Sequence, residues 1–239
     1  SKRRFLHNLS LTPLVIIDTN VLVDALVERM YQRMDLVLET NVNIIGANQF
    51  HRILLHHAKA KRLLMMIPDD VRSELKQFAK GQRLLYRFKG AMIDTSTLEE
   101  TLSEKVMMKL VEEVLTEYST WRPSADMLAG VPDQSEALDT FLVRYSDVFD
   151  ELSELKGYRG VTYRTELHGR AIYPEATDLD IYRLAMYLAS LPLPNIGAVL
   201  VATMDGDFTL VDRAIEEQFG FSIAKNHRSL KPWLKPQQN

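Results

Sequence analysis

Two aspartates follow apolar runs in this chain. Asp18 comes directly after Leu14-Val-Ile-Ile17, and Asp205 follows Ile196-Gly-Ala-Val-Leu-Val-Ala202 after a Thr-Met step. Both runs are short and lack polar alternation, the pattern of strands buried on both faces in a parallel sheet. Two more acids open helices: Glu74, in the helix announced by Pro68-Asp-Asp70, and Asp178, in Thr177-Asp-Leu-Asp180. In a right-handed βαβ succession every helix starts where a parallel strand stops, and ligands bind outside those strand ends. The four carboxylates are therefore expected at one sheet edge. Close carboxylates repel and raise one another's pKa unless a cation sits among them. The chain has no cysteine, so a hard, oxygen-seeking ion, Mg²⁺ or Mn²⁺, is expected. Such ions carry waters that attack phosphodiesters, which makes metal-dependent phosphodiester hydrolysis the implied chemistry.

Spacing predicts the elements that position these groups. Val21, Leu22, Ala25, Leu26 and Met30 mark a helix after Asp18. A second helix is expected over about 49–62, with Phe50, Ile53, Leu54 and Ala58 inward, and a strand over 63–67. The helix after Pro68 buries Val71, Leu75 and Phe78, leaving Glu74 at the edge of the stripe. Towards the end, Thr177 or Asp178 is expected to cap a helix carrying Ile181, Leu184, Ala185 and Leu188. A strand over 196–202, a helix over 211–219 closed by Gly220, and an edge strand over 221–224 follow. Residues 1–239 thus read as one α/β domain with a mainly parallel sheet.

The stretch from about 79 to 157 reads as a helical insertion within that domain. Its stripes are Leu98, Leu102, Val106, Leu110 and Val114, then Leu138, Phe141, Leu142, Tyr145 and Val148; Trp121-Arg-Pro123 and Gly130-Val-Pro-Asp133 are breaks. So many large apolar groups must pack on one another, on the sheet, or on a second copy, and a homodimer or a protein partner on the insertion fits that need. Asp133, Glu136, Asp139, Asp147, Asp150, Glu151 and Glu154 give it a solvated acidic face. The basic, glycine-punctuated stretch 157–170 is a loop or hairpin.

With 239 residues, 46% apolar and 26% charged, the chain can bury a sizeable core. No apolar run approaches the roughly 18 residues that span a bilayer, and no signal-peptide apolar region follows Ser1-Lys-Arg-Arg4, so the expectation is a cytoplasmic protein without a membrane segment. A net charge of −3 offers no global attraction for a polyanion. Phosphate contacts are therefore assigned to local patches: Arg52, Lys59, Lys61 and Arg62, and Arg159, Arg164 and Arg170.

Four segments, Val15-Ile-Ile-Asp-Thr-Asn-Val-Leu22, Ile67-Pro-Asp-Asp-Val-Arg-Ser-Glu-Leu75, Thr177-Asp-Leu-Asp-Ile181 and Leu200-Val-Ala-Thr-Met-Asp-Gly-Asp-Phe208, resemble the four acidic motifs of PIN-domain nucleases. The resemblance covers roughly residues 12–80 and 172–224. It implies a three-layer α/β/α fold around a central parallel sheet, RNA as substrate and Mg²⁺ or Mn²⁺ as cofactor. Carried over by position, it makes Asp18, Glu74, Asp178 and Asp205 the catalytic metal ligands. Asn20 and Thr203 become supporting residues, Asp207 an outer ligand and Asp180 an alternate one. Two other readings stand beside it: a flap-endonuclease-like DNA nuclease with the insertion as an arch, and a non-enzymatic scaffold with a vestigial site.

Overall fold

The computed structural model describes residues 11–33, 49–80, 102–158, 166–167, 170–171 and 174–234. Strand β1 (Thr12–Ile17) leads into α1 (Thr19–Arg33); α2 (Phe50–Lys59), β2 (Leu64–Met66) and α3 (Asp69–Lys80) follow. The middle of the chain holds α4 (Glu104–Glu117), α5 (Ala125–Ala129), α6 (Glu136–Arg144) and α7 (Ser146–Tyr158). A small antiparallel ladder of β3 (Glu166–Leu167) and β4 (Arg170–Ala171) lies at the end of the stretch read as loop or hairpin and runs one residue past it. Then come α8 (Ala176–Ser190), β5 (Ile196–Ala202), α9 (Gly206–Thr209), α10 (Asp212–Phe219), β6 (Ser222–Ala224) and α11 (His227–Leu230).

Strands β1, β2, β5 and β6 form one all-parallel sheet in the order β2-β1-β5-β6, set between helical layers as a three-layer α/β/α fold. Leu14, Val15, Ile16 and Ile17 are all fully buried. That is why the first apolar run carries no alternation: a central parallel strand has no wet face. Pro13 lacks the amide that a central strand must donate, and it sits where the β1–β5 register shifts between Thr12 and Pro13. Gly220 closes α10 at φ 76°, the left-handed conformation expected of it.

Helices α1 to α4 pack on one another, with α4 against both α1 and α3. Met107, Val111, Val114 and Leu115 of α4 belong to the main core. Within the segment read as an insertion, α4 is therefore a layer of the sandwich, because a periodic apolar stripe specifies a buried face without specifying its partner. Further along, α6 places Phe141 against Tyr182 and Phe219, with ring centroids 6.1 and 5.0 Å apart. Leu102, Leu110 and Phe141 are buried, while Val106, Leu142 and Tyr145 are half-buried against the same core. These stripes are covered within the chain; Leu98 lies outside the described residues.

The outer edge of β2 is occupied rather than open. Thr120 and Trp121 each donate a backbone amide to the Met65 carbonyl at 2.9 Å, and Met65 returns its amide to Thr120 Oγ1 at 2.8 Å. A strap of irregular chain thereby takes the hydrogen bonds that a neighbouring strand would take. Among the described residues no helix is long and apolar enough to cross a membrane.

Candidate active site

The chain leaves β1 for β2 on one side of the sheet, and β5 is followed by β6 on the other, so the switch point lies between the carboxyl ends of β1 and β5. Register decides which side chains meet there. Ile17 pairs with Ala202, and the Asp18 amide donates to the Ala202 carbonyl at 3.1 Å, so Asp18 and Thr203 leave the sheet side by side. Thr203 Oγ1 donates to Asp18 Oδ2 at 2.6 Å and accepts from the Asp205 amide at 3.0 Å. Asn20, in the first turn of α1, brings Nδ2 to 2.6 Å from Asp18 Oδ2 and to 3.1 Å from both Thr203 Oγ1 and Asp205 Oδ2. Asn20 and Thr203 thus bracket the two aspartates from either strand end.

The other oxygen of Asp18 accepts the Thr19 amide at 2.6 Å, a carboxylate meeting the free amides of a helix start. The Thr19 hydroxyl donates to Glu74 Oε2 at 2.7 Å, which ties α3 to the head of α1 and keeps Glu74 beside the site. In α8 the N-cap is Glu175 rather than Thr177 or Asp178. Asp178 sits at the third helical position and folds back to accept the Glu175 amide at 3.0 Å, as an acid at that position of a capping box does. One turn on, the Tyr182 hydroxyl donates to the Asp207 carbonyl at 2.7 Å, and its ring stacks on Phe208 at 4.6 Å. Asp178 and Tyr182, four apart on one helix face, therefore both address the turn that carries Asp205 and Asp207. From the other side, Leu152 of α7 rests on Gly206, whose missing Cβ would lie 2.8 Å from Leu152 Cδ1.

Asp18, Asp178 and Asp207 are buried, at 3%, 9% and 0% exposure. Burial pushes Asp18 up from the usual 3.8 to about 7. The Asp205 and Glu74 carboxylates add to the rise, against the hydrogen bonds from Thr203 and Thr19. Burial likewise holds Asp178 well above the carboxylate range, reinforced by repulsion from Asp18, Asp207 and Asp205. Among the described residues, no protein cation is one of the largest influences on either aspartate. A set of mutually repelling carboxylate oxygens suits a hard divalent cation in its chemistry. It is not a ready-made cage: among the described residues no three Asp, Glu or His side chains are arranged to hold an ion. Two of the acids are committed to local partners, Glu74 to Thr19 and Asp178 to the Glu175 amide.

The remaining expected residues are placed elsewhere. Asp180 faces away from Asp178 on α8, pairs with Arg183 at 2.7 Å and acts on Asp70. Asp207, expected as an outer ligand, lies fully buried beneath the turn. Lys59, Lys61 and Arg62 immediately precede β2 and so lie at the amino edge of the parallel sheet, opposite the carboxylates. Lys59 pairs with Glu117 at 2.9 Å, Arg62 Nη1 lies 3.4 Å from His57 Nδ1, and Arg52 is bound to Glu28. Arg170 is in β4, and Arg159 and Arg164 lie outside the described residues. Two contributors escaped the sequence reading. Thr19, which holds Glu74, stands between Asp18 and Asn20, and Tyr182 is signalled only by its i+4 spacing from Asp178. No family model matches the chain, and no curated protein or solved structure matches it either.

Proposed function

We propose that this chain is a metal-dependent ribonuclease of the PIN-domain type, hydrolysing RNA phosphodiester bonds at the carboxylate cluster. The observation that carries the reading is the burial of Asp18 and Asp178 beside Asp205, where burial and the neighbouring carboxylates together raise both groups. Such a group of acids is unfavourable on its own and becomes favourable around a cation. Asp18, Asp178 and Asp205 would hold it, with Glu74 and Asp207 near enough to add charge. When bound, Mg²⁺ or Mn²⁺ offsets charge on the phosphate oxygens and activates water for attack. RNA is favoured over DNA by the resemblance of the four acidic segments alone.

The chain's own part is positional. Thr203 fixes the offset between Asp18 and the Asp205 turn because its one hydroxyl serves both, and Asn20 prevents the two carboxylates from swinging apart. Tyr182 anchors the Asp207 backbone to α8, so Asp178 arrives with the turn rather than independently of it. Groups fixed before substrate arrives need no reorganisation during reaction, and the low-dielectric setting strengthens each interaction.

The test is cleavage by the purified chain of single-stranded RNA, single-stranded DNA and flapped duplex DNA, with Mg²⁺, Mn²⁺ or chelator. RNA should be cut only with a cation, and Asp18→Asn or Asp205→Asn should remove that cleavage in proteins that remain folded by circular dichroism. Retained cation-dependent cleavage in folded Asp18→Asn would sink the proposal.

A further inference from the structure

Beside the carboxylate cluster lies a cavity of about 610 Å³ that the cluster itself does not use. Its floor is the end of β2 and the first turns of α3 and α8, and its outer wall is the strap that covers β2. Thr177 lines it while the adjacent Asp178 faces the cluster, so the cavity and the site share the first turn of α8. The volume falls within the range of small-ligand pockets, roughly 300–1,000 Å³.

Its lining is unusual in combining three guanidiniums, Arg72, Arg122 and Arg183, with one tryptophan, Trp121, and several carboxylates including Asp70 and Asp133. Burial and the nearby Arg122 push the Arg72 guanidinium down while Asp69, 3.8 Å away, and Glu112 act the other way, so charges of both signs meet at one wall. Arg72 is pinned by the Ser119 hydroxyl at 2.8 Å and the Ile67 carbonyl at 3.2 Å. Arg122, by contrast, makes no hydrogen bond or ion pair among the described residues and is exposed. Arg183 gives Nη1 to Asp180, and its Nε is enclosed without an acceptor among the described residues.

A cavity for a bare polyanion would not carry carboxylates among its arginines. The mixture suits a ligand that is anionic at one end and rich in N–H donors at the other, with a flat ring between. A nucleotide has those properties: phosphate for guanidinium, ring face for tryptophan or arginine, and base amino groups for carboxylate. We propose that this cavity is a nucleotide subsite, seating one unpaired base of the strand whose phosphate reaches the carboxylates and so selecting where that strand is cut. The choice of strand and cut site rests on the ribonuclease reading; the nucleotide chemistry of the cavity does not.

The chain contains two tryptophans, Trp121 and Trp233, so Trp233→Phe leaves Trp121 as the one indole reporter. The four ribonucleoside 5′-monophosphates, titrated without divalent cation, should quench its emission saturably, with one base binding more tightly than the others. Adding Arg122→Ala should weaken that binding by about tenfold, the loss of one charged hydrogen-bond partner. Absent quenching, or equal affinity in Arg122→Ala, overturns the subsite. A second arm maps cleavage of a mixed-sequence RNA by Trp121→Ala, where cutting should persist with its base preference beside the cut flattened. An unchanged preference in an actively cutting Trp121→Ala overturns the subsite and leaves the ribonuclease reading intact. Nucleotide quenching in a chain that cuts no RNA supports the nucleotide site and defeats only the ribonuclease reading.

Discussion

Asp18 and Glu28 lie ten residues apart, bracket the first turns of α1, and are both nearly out of water, at 3% and 8% exposure. Their surroundings are opposite. Glu28 accepts from His51 Nε2 at 3.0 Å and from Arg52 Nε at 2.9 and 2.8 Å, and His51 Nδ1 lies 2.9 Å from the Tyr118 hydroxyl. Burial raises Glu28, but the hydrogen bonds and charges of His51 and Arg52 outweigh it and hold the carboxyl at about 2. Around Asp18 the neighbours are other acids and neutral donors, and the carboxyl rises to about 7. One buried carboxylate is complete within the chain and stitches α1, α2 and the end of α4 together. The other is precise in its hydrogen bonds and unbalanced in its charge. Hydrogen bonds without an opposing charge among the largest influences are what separate Asp18 from that brace.

That contrast is tested most severely inside α8. Asp178 faces the carboxylate cluster and Asp180 faces Arg183, so on the proposed reading Asp178→Asn should lower RNA cleavage by about a hundredfold or more, the loss of several kcal/mol of transition-state stabilisation. Asp180→Asn should cost far less. The reverse order in steady-state kinetics would place the cluster on the wrong face of α8.

Next in size, the two carboxylates should respond to removal with opposite signs of stability. Glu28→Ala leaves His51 and Arg52 short of a partner and should cost about 2–3 kcal/mol in urea denaturation. Asp18→Asn, measured without cation at pH 8, should match or exceed the parent, because a repelling charge has gone. A destabilised Asp18→Asn would mean that Asp18 is a brace like Glu28.

The pH profile sharpens the same point. A carboxyl raised to about 7 favours folding in its protonated form, so the contribution of Asp18 is fully present below about pH 4 and is lost as pH rises through 7. Glu28, held at about 2, contributes above about pH 4.5 and loses its effect as pH falls towards 2. Without cation, stability should therefore peak near pH 4–5 and decline by about 1–3 kcal/mol towards pH 8. Mn²⁺ should restore it at pH 8 and do little at pH 5. Thermal denaturation across that range, with Mn²⁺ or chelator, decides it, and a cation effect independent of pH would remove the acidic cluster as its origin.

The smallest effect is expected from the exposed acids of α6 and α7. Neutralising Glu136, Asp139, Asp147, Asp150 and Glu151 together should change stability by no more than about 0.5 kcal/mol and leave the cation dependence of cleavage unaltered. A change in the cation concentration needed for cleavage would extend the site into α7.

Asp18 and the motif around it were legible because a buried strand has to end, and an acid at that end is conspicuous against an unbroken apolar run. The sequence preferred Asp178 to Asp180, and it is Asp178 that lies near Asp18 and Asp205, although its place as the third helical residue required the backbone of Glu175. The cations Lys59, Lys61 and Arg62 show what composition alone misses. They are correctly basic and outward, but strand direction puts them at the far edge of the sheet. The membership of α4 in the sandwich was hidden for a related reason, since spacing identifies an apolar face and leaves its partner open. Trp121-Arg-Pro123 looked like a mere break between helices, whereas its backbone closes the edge of β2 and its side chains line the neighbouring cavity.

The pairing of β1 with β5 joins residues that lie far apart in the chain, Ile17 with Ala202. Closing so long a loop is slow, and contacts of that range come late in folding. During synthesis β1 can pair with β2 long before β5 has left the ribosome, and until then Asp18 lacks Thr203 and Asp205 beside it. A nascent chain thus carries the first acidic segment early and the assembled cluster only when translation has nearly passed the last strand. The unfinished polypeptide lacks the assembled cluster because of the order in which its strands are made.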